Sequence, residues 1–151
     1  METQEFLEII EPMLDTMMKQ NIEFENKFGE KAFQMGPIDI NQILIFEKNH
    51  GISIPKYYKE FLSKYNPDGI EILLGLKEIE SIIKNLPEMK ILLNEGFLPI
   101  TSDNAGNYFC IDTQNPKDDI LFFADHEEKF EIQTVGNVSE FFRKTVKYRN
   151  E

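Results

Sequence analysis

Apolar residues recur at three- and four-residue spacing through the first third of the chain, which predicts amphipathic helices. The first helix is predicted over residues 3–34. Its apolar stripe comprises Phe6, Leu7, Ile10, Met13, Leu14, Met17 and Met18. Pro12 lies within this pattern and is expected to start a new turn or to kink the helix, because proline lacks the amide hydrogen of the helical ladder.

A break at residues 35–39 precedes a second helix. Asp39 and Gln42 have the three-residue spacing of a capping box, so the helix is predicted over roughly 40–49, with Gly51 as its stop. The residues expected to be buried on this helix are Ile40, Ile43, Leu44 and Phe46.

A third helix is predicted to begin at Pro55, because proline suits the first turn of a helix. Its apolar face has the spacing i, i+3, i+4 and i+7 and comprises Tyr58, Phe61, Leu62 and Tyr65. The segment "NPDG" then indicates a turn. A short strand is predicted over 70–74 and a further helix over 77–86, followed by a polar stretch.

The last third of the chain changes to short apolar runs separated by turn residues, which predicts strands. The predicted strands are 97–101, 108–112, 120–124 and 130–134. A capping-box spacing at Asn137 and Glu140 opens a final helix to about residue 148. Helices, then strands, then one helix predict a single α+β domain whose mainly antiparallel sheet packs against the helices. The expected common core comprises Tyr58, Phe61, Leu62, Leu98, Ile100, Ile111 and Phe141.

Composition narrows the class of protein. A chain of 151 residues suits one domain, and its longest apolar runs are too short to span a bilayer. The acidic N-terminus lacks the basic region of a signal peptide, and the single cysteine, Cys110, excludes an internal disulfide. These features predict a cytoplasmic protein. A net charge of −11 disfavours direct binding to nucleic acid and favours a basic partner, although acidity also serves solubility alone.

Residues 102–112, "SDNAGNYFCID", contain the residue types most typical of chemistry. One interpretation is catalytic or metal-binding, with Asp103 paired with Asp112 or joined by Asp125 or His126. No metal-loop, phosphate-loop or dinucleotide-binding spacing is present, and Cys110 lies within an apolar strand. The favoured interpretation is a tight turn between strands, and the second is a partner-binding loop. We therefore expect no catalytic activity, no metal and no cofactor.

A second acidic series follows in the turns on either side of the strand 120–124. One interpretation is that these charges only keep the loops solvated. The other is that they bind a partner, because loops on a rigid sheet commonly carry binding residues. The residues predicted to bind a partner are Asp103, Asn104, Asn107, Asp118, Asp119, Asp125, His126, Glu127 and Glu128.

Four segments resemble the SUKH superfamily, which includes bacterial immunity proteins and yeast cell-wall synthesis regulators. The segment "ILIFEKNHGISIPKYYKEFLSKYNPDG" at 43–69 is similar to its N-terminal signature, and "FLPITSDNAGNYFCIDT" at 97–113 to its second. The segments "ILFFADHEEKF" and "NVSEFFRK" resemble its next strand and its closing helix. The resemblance covers about residues 38–146. Pro67–Asp68 departs from it where a second glycine is common, and residues 1–37 extend beyond its usual start.

The resemblance implies an α+β domain over 38–151 preceded by a helical extension over 1–37. For bacterial members it implies a monomer or homodimer that neutralises a cognate protein toxin, often a nuclease, by direct binding. A basic active-site region on such a toxin would match the acidity of this chain. Two alternatives stay open: a regulatory adapter of the yeast type, and a small metal-dependent hydrolase using the carboxylates near Asp103 and His126.

Overall fold

Helices make up most of the first two thirds of the chain and its last segment. The computed structural model describes residues 1–150, with the backbone alone at residue 150. The helices are α1 (Thr3–Phe28), α2 (Ile40–His50), α3 (Lys56–Lys64), α4 (Leu76–Asn85), α5 (Pro87–Asn94) and α6 (Val138–Asn150). Within the described residues, no helix is both long and apolar enough to cross a membrane.

Two antiparallel sheets complete the fold. The strands are β1 (Gln34–Met35), β2 (Pro67–Asp68), β3 (Phe97–Ser102), β4 (Tyr108–Asp112), β5 (Ile120–Asp125) and β6 (Glu131–Asn137). β1 pairs with β2, and the other four strands form one sheet in the order β3-β4-β5-β6. The predicted α+β fold with an antiparallel sheet and an N-terminal helix is therefore confirmed.

The connections between the four strands of the larger sheet lie at two opposite ends of that sheet. The short connections 103–107 and 126–130 lie at one end, called here the two-turn end, because successive strands run in opposite directions. The connection 113–119 lies at the other end, called here the long-loop end. This arrangement decides which of the predicted site residues become neighbours.

Helix α1 ends earlier than the sequence pattern predicts. Gly29 adopts a left-handed φ of 80°, and its N–H bonds to the carbonyl of Glu25 at 2.8 Å, which closes the helix. Gln34 and Met35 then pair with β2 instead of continuing the helix. The helix runs through Pro12 and shares one core with the rest of the chain. The four buried residues of α1 are Phe6, Ile10, Met13 and Leu14.

Helix α2 begins at the predicted residue and ends at His50, one residue later than predicted and directly before the predicted stop at Gly51. Asp39 and Gln42 form the capping box, and Gly51 has a left-handed φ of 65°. The predicted burial of Ile40 and Leu44 is wrong, because their side chains are 47% and 48% exposed. The third buried position is instead Glu47, whose Oε2 accepts from the Ile54 N–H at 2.6 Å and lies 3.1 Å from Lys59 Nζ. A charged residue thus ties α2 to α3.

The strand predicted over 70–74 is not formed. The Ile72 N–H bonds to the Ile70 carbonyl at 2.7 Å, and Glu71 between them has a φ of 60°, which is the geometry of a γ-turn. Two hydrogen bonds still attach this segment to the edge of β3, from Leu74 N–H to Ile100 and from Ser102 N–H to Glu71. The segment covers the sheet edge without joining its ladder.

Helix α5 was not predicted, because residues 87–94 mix polar and apolar side chains. Pro87 starts it, and Met89, Leu92 and Leu93 are buried. The four sheet strands lie within one or two residues of their predicted positions at most boundaries. The predicted core is confirmed except at Phe141, which is partly buried, whereas its neighbour Phe142 is fully buried.

Candidate partner-binding site

The fold brings most of the predicted binding residues to the two-turn end. Asp103, Asn104 and Asn107 lie in the turn after β3, and residues 125–128 begin the turn after β5. Asp118 and Asp119 lie at the long-loop end, which is the opposite end of the sheet. Seven of the nine residues are thus brought together and two are separated from them.

Asn107 connects the two turns of this end. Its side-chain amide nitrogen donates to Asp103 Oδ2 at 2.8 Å, and its Oδ1 accepts from the His126 backbone N–H at 2.9 Å. The His126 ring nitrogen Nδ1 lies 2.6 Å from the same Oδ1. Asp103, Asn107 and His126 therefore form one hydrogen-bonded unit that fixes the two turns against each other.

The backbone of the first turn explains its residue types. Asn104 and Gly106 have φ values of 67° and 90°, which asparagine and glycine tolerate better than other residues. A Cβ on Gly106 would lie 3.5 Å from the His126 ring, which is an ordinary contact distance, so the positive φ and not lack of space favours glycine here. The favoured sequence interpretation, a tight turn, agrees with this geometry.

Asp103 is an internal hydrogen-bond acceptor. Its Oδ1 accepts from the N–H groups of Ala105 at 2.8 Å and Asn107 at 3.2 Å. Partial burial by itself would raise the pKa of this carboxyl, but the hydrogen bonds from Asn107 and Ala105 outweigh burial and lower the pKa below its ordinary value. Asp103 thus holds a negative charge at this end while it shapes the turn.

An acidic cleft that was not predicted from the sequence lies beside these turns. It has a volume of about 430 Å³, and Asp68, Glu71 and Glu78 line it together with Ser102 and Tyr108. These residues come from β2, the γ-turn, α4, β3 and β4. They are distant in sequence, so only the assembled fold reveals the cleft.

Gly75 makes the close packing behind the cleft possible. An added Cβ at this position would lie 2.0 Å from the Pro67 carbonyl oxygen, which no side chain tolerates. The absence of a side chain lets the start of α4 approach β2 and places Glu78 beside Asp68. The Gly75 N–H in turn donates to Glu78 Oε1 at 3.2 Å.

Two pKa shifts report the negative potential of the cleft. Burial raises the pKa of the Glu78 carboxyl, and the charges of Asp68 and Glu71 raise it further. Burial also raises the pKa of the Tyr108 hydroxyl, with added contributions from Asp103 and Glu71. Ser102 and Tyr108 flank the first turn and also line the cleft, so the turn and the cleft form one continuous surface.

A groove of different character borders this surface on the side of α6. It has a volume of about 540 Å³, with Phe109 and Phe141 among its apolar residues and Lys144 and Arg149 among its basic ones. Glu71, Ser102, Asp103 and Asn104 line the groove as well. The acidic surface therefore ends where the basic C-terminal half of α6 begins.

The two separated residues have different surroundings. Asp119 Oδ1 lies 2.7 Å from the Met1 amino group, and its backbone carbonyl accepts from the Val138 N–H at 2.8 Å. Asp118 is exposed at the end of a short 3₁₀ turn. Asp119 thus supports the junction between the long loop and α6.

The carboxylate pair of the hydrolase interpretation is not assembled. Asp103 and Asp112 lie at opposite ends of β4, whose five residues separate them by roughly 15 Å or more. Within residues 1–150, no group of three or more His, Cys, Asp or Glu side chains is arranged to hold a metal ion. Cys110 is buried, and burial raises the pKa of its thiol.

Sequence comparison identifies the family. Residues 37–144, more than two thirds of the chain, match the model of the SMI1 / KNR4 family (SUKH-1). No curated protein matches the chain significantly. The matched range begins just before α2 and ends within α6, so it contains the whole four-stranded sheet, the cleft and both short turns. The chain belongs to the SMI1 / KNR4 family (SUKH-1), as the resemblance of its four segments predicted.

Proposed function

We propose that this chain is a non-catalytic immunity protein that binds and neutralises a basic protein toxin through the two-turn end of its sheet. The observation that carries the proposal is the joining of the predicted acidic turns with the cleft into one surface. Membership of the SMI1 / KNR4 family (SUKH-1) supports the proposal, because the SUKH superfamily that the sequence resembles includes bacterial immunity proteins.

The charge of this surface favours a basic partner. Its acidic residues are Asp68, Glu71, Glu78, Asp103, Asp125, Glu127, Glu128 and Glu131, and its basic residues are Lys77 and Lys129. Opposite charges on a partner accelerate encounter and reject partners with the wrong sign. A nuclease is a fitting target, since its substrate site must attract phosphate and is therefore basic. The same charge disfavours direct binding of nucleic acid by this chain.

Rigidity of the surface also supports the proposal. The hydrogen bonds through Asn107 hold the two turns in one arrangement before any partner arrives. A preformed surface loses little conformational entropy on binding, which favours the high affinity that neutralisation of a toxin requires.

Co-expression with the product of the neighbouring gene tests this function. We expect the two proteins to copurify at a fixed ratio and the partner's activity to fall to background when one equivalent of this chain is added. Copurification with full retention of the partner's activity would contradict neutralisation and support the adapter alternative. Failure to bind any toxin encoded beside it would reject the proposal.

A further inference from the structure

The cleft beside the turns has the chemistry of a receptor for one basic side chain. Its acidic groups are accompanied by the hydroxyls of Ser102 and Tyr108 and by the apolar side chains of Leu74 and Ile82. Arginine and lysine combine an apolar stem with a charged head, so a cleft with an apolar wall and acidic groups suits both parts.

Glu71 is the least satisfied group of the cleft. Its Oε2 atom is buried and accepts no hydrogen bond from any residue between 1 and 150. A buried carboxylate oxygen without a donor is unfavourable, and a cationic donor from outside would supply what is missing. The γ-turn holds Glu71 at a positive φ, and the Ser102 N–H fixes the same residue through its carbonyl at 3.0 Å.

The charge of the cleft is not neutralised within the described part of the chain. None of the four salt bridges formed there involves Asp68, Glu71 or Glu78. Lys77 lines the same cleft with an exposed side chain. A cation from a partner would therefore relieve repulsion among three carboxylates that the fold has placed around one space.

We propose that this cleft binds an arginine side chain of the basic partner, with Glu71 and Glu78 as its carboxylate acceptors. The inference rests on the proposed function for the identity of the partner. A single metal ion fits less well, because the described His, Cys, Asp and Glu side chains form no group close enough to hold one. A guanidinium carries five N–H donors in a rigid fork, so it can bridge acceptors that are further apart than the ligands of one metal ion.

The cleft itself is tested with a small probe that needs no partner. N-acetyl-arginine amide is titrated into the full chain and amide shifts are followed by NMR, with N-acetyl-citrulline amide as the neutral analogue. We expect arginine to shift the amides of Ser102, Tyr108 and Lys77, with citrulline producing at most a tenth of the effect. Equal shifts from both compounds, or shifts confined to other regions, would overturn the inference.

Matched variants identify the acceptors. Glu71→Gln/Glu78→Gln removes two charges from the cleft, and Glu127→Gln/Glu128→Gln removes two from the adjacent turn. We expect the cleft variant to weaken arginine binding at least fivefold and the turn variant to change it less than twofold. If both variants weakened arginine binding equally, the weakening would reflect the lower net charge alone, and Glu71 and Glu78 would be rejected as the acceptors. Spectra of both variants without probe verify that each is folded.

The same variants separate this inference from the proposed function. With the neighbouring toxin as ligand, we expect the cleft variant to raise the dissociation constant at least tenfold, mainly through faster dissociation. If the toxin binds the wild type and the cleft variant equally, the inference fails and the proposed function stands. If no toxin binds the wild type, the proposed function fails, and the arginine titration alone decides whether the cleft accepts a basic side chain.

Discussion

Asp103, Glu71 and Glu78 are carboxylates of one surface, but they differ in hydrogen bonding, in burial and in the charges near them. Asp103 accepts three hydrogen bonds from its own turn, and its pKa is lowered. The pKa of Glu78 is raised by burial and neighbouring charges, and Glu71 has an unpaired buried oxygen. Asp103 therefore maintains the shape of the surface, whereas Glu71 and Glu78 are held at a cost to stability that a bound cation would offset.

Replacing Glu78 with glutamine is expected to stabilise the fold at neutral pH. Because the folded-state pKa lies above the ordinary value of 4.5, ionised Glu78 destabilises the fold above that folded pKa. The variant should gain up to about 1 kcal/mol at pH 7, since solvent screens a half-buried carboxylate. The gain should shrink as pH falls through the folded pKa and vanish below 4.5. Urea unfolding from pH 4 to 8 measures it, and a gain independent of pH would contradict the assignment.

Replacing Asp103 with alanine is expected to loosen the first turn. The change removes the acceptor for Ala105 and Asn107, and we expect a loss of about 1 kcal/mol in the free energy of unfolding. Asp103→Asn keeps an acceptor oxygen and should recover part of that loss. Unfolding curves of the three proteins provide the measurement. Equal stability of wild type and Asp103→Ala would show that these hydrogen bonds do not hold the turn.

Among the elements, those with local signals were predictable. The capping box at Asp39 and Gln42 and the stop at Gly51 depend on neighbouring residues, and the structure contains all of them. The segment 70–74 has the composition of a strand, but the γ-turn at Glu71 breaks it while it pairs loosely with β3. That pairing depends on a partner about 30 residues away, which local composition does not encode.

The candidate site also has a part that local sequence predicts and a part that depends on residues distant in sequence. The turn at 103–107 was predictable because Asn104 and Gly106 are residue types that tolerate a positive φ well. Its contact with His126 follows once the four strands are placed in order. The cleft was not predictable, since Asp68, Glu71 and Glu78 meet only after Gly75 packs against the carbonyl of Pro67.

Helix α1 is expected to be essential for the core although it precedes the family match. The Phe6 side chain is fully buried, and its ring lies 5.0 Å from Tyr57 and 5.6 Å from Phe142 between centroids. Phe6→Ala should cost about 3–5 kcal/mol. Ile22→Ala on the same helix is the control, because Ile22 is 62% exposed and its loss should cost less than about 0.5 kcal/mol. Similar losses for both would mean that α1 is placed incorrectly.

Across the whole molecule, the helices pack against a sheet whose two ends differ in structure. Asp119 and Val138 close the long-loop end against α6, which makes that end structural. The two-turn end presents fixed turns, a cleft and a concentration of negative charge. In the proposed function, the net charge of −11 supplies the long-range attraction, and its local distribution selects the end at which a basic partner docks.

Charge reversal at one end of the sheet tests this central claim most directly. Glu127, Glu128 and Glu131 are exposed at the two-turn end and are replaced with lysine, while Asp125 is kept because it caps the turn. The control replaces Glu2, Glu95 and Asp118, which are exposed near the long-loop end, with lysine. Each triple changes the net charge by the same amount.

Stopped-flow association with the purified toxin is measured for the three proteins across a salt series. We predict that reversal at the two-turn end slows association at low salt at least tenfold and removes most of its salt dependence, while the control stays within about threefold of wild type. Equal slowing by both triples, or slowing by the control alone, would contradict the assignment of the two-turn end as the partner-binding surface.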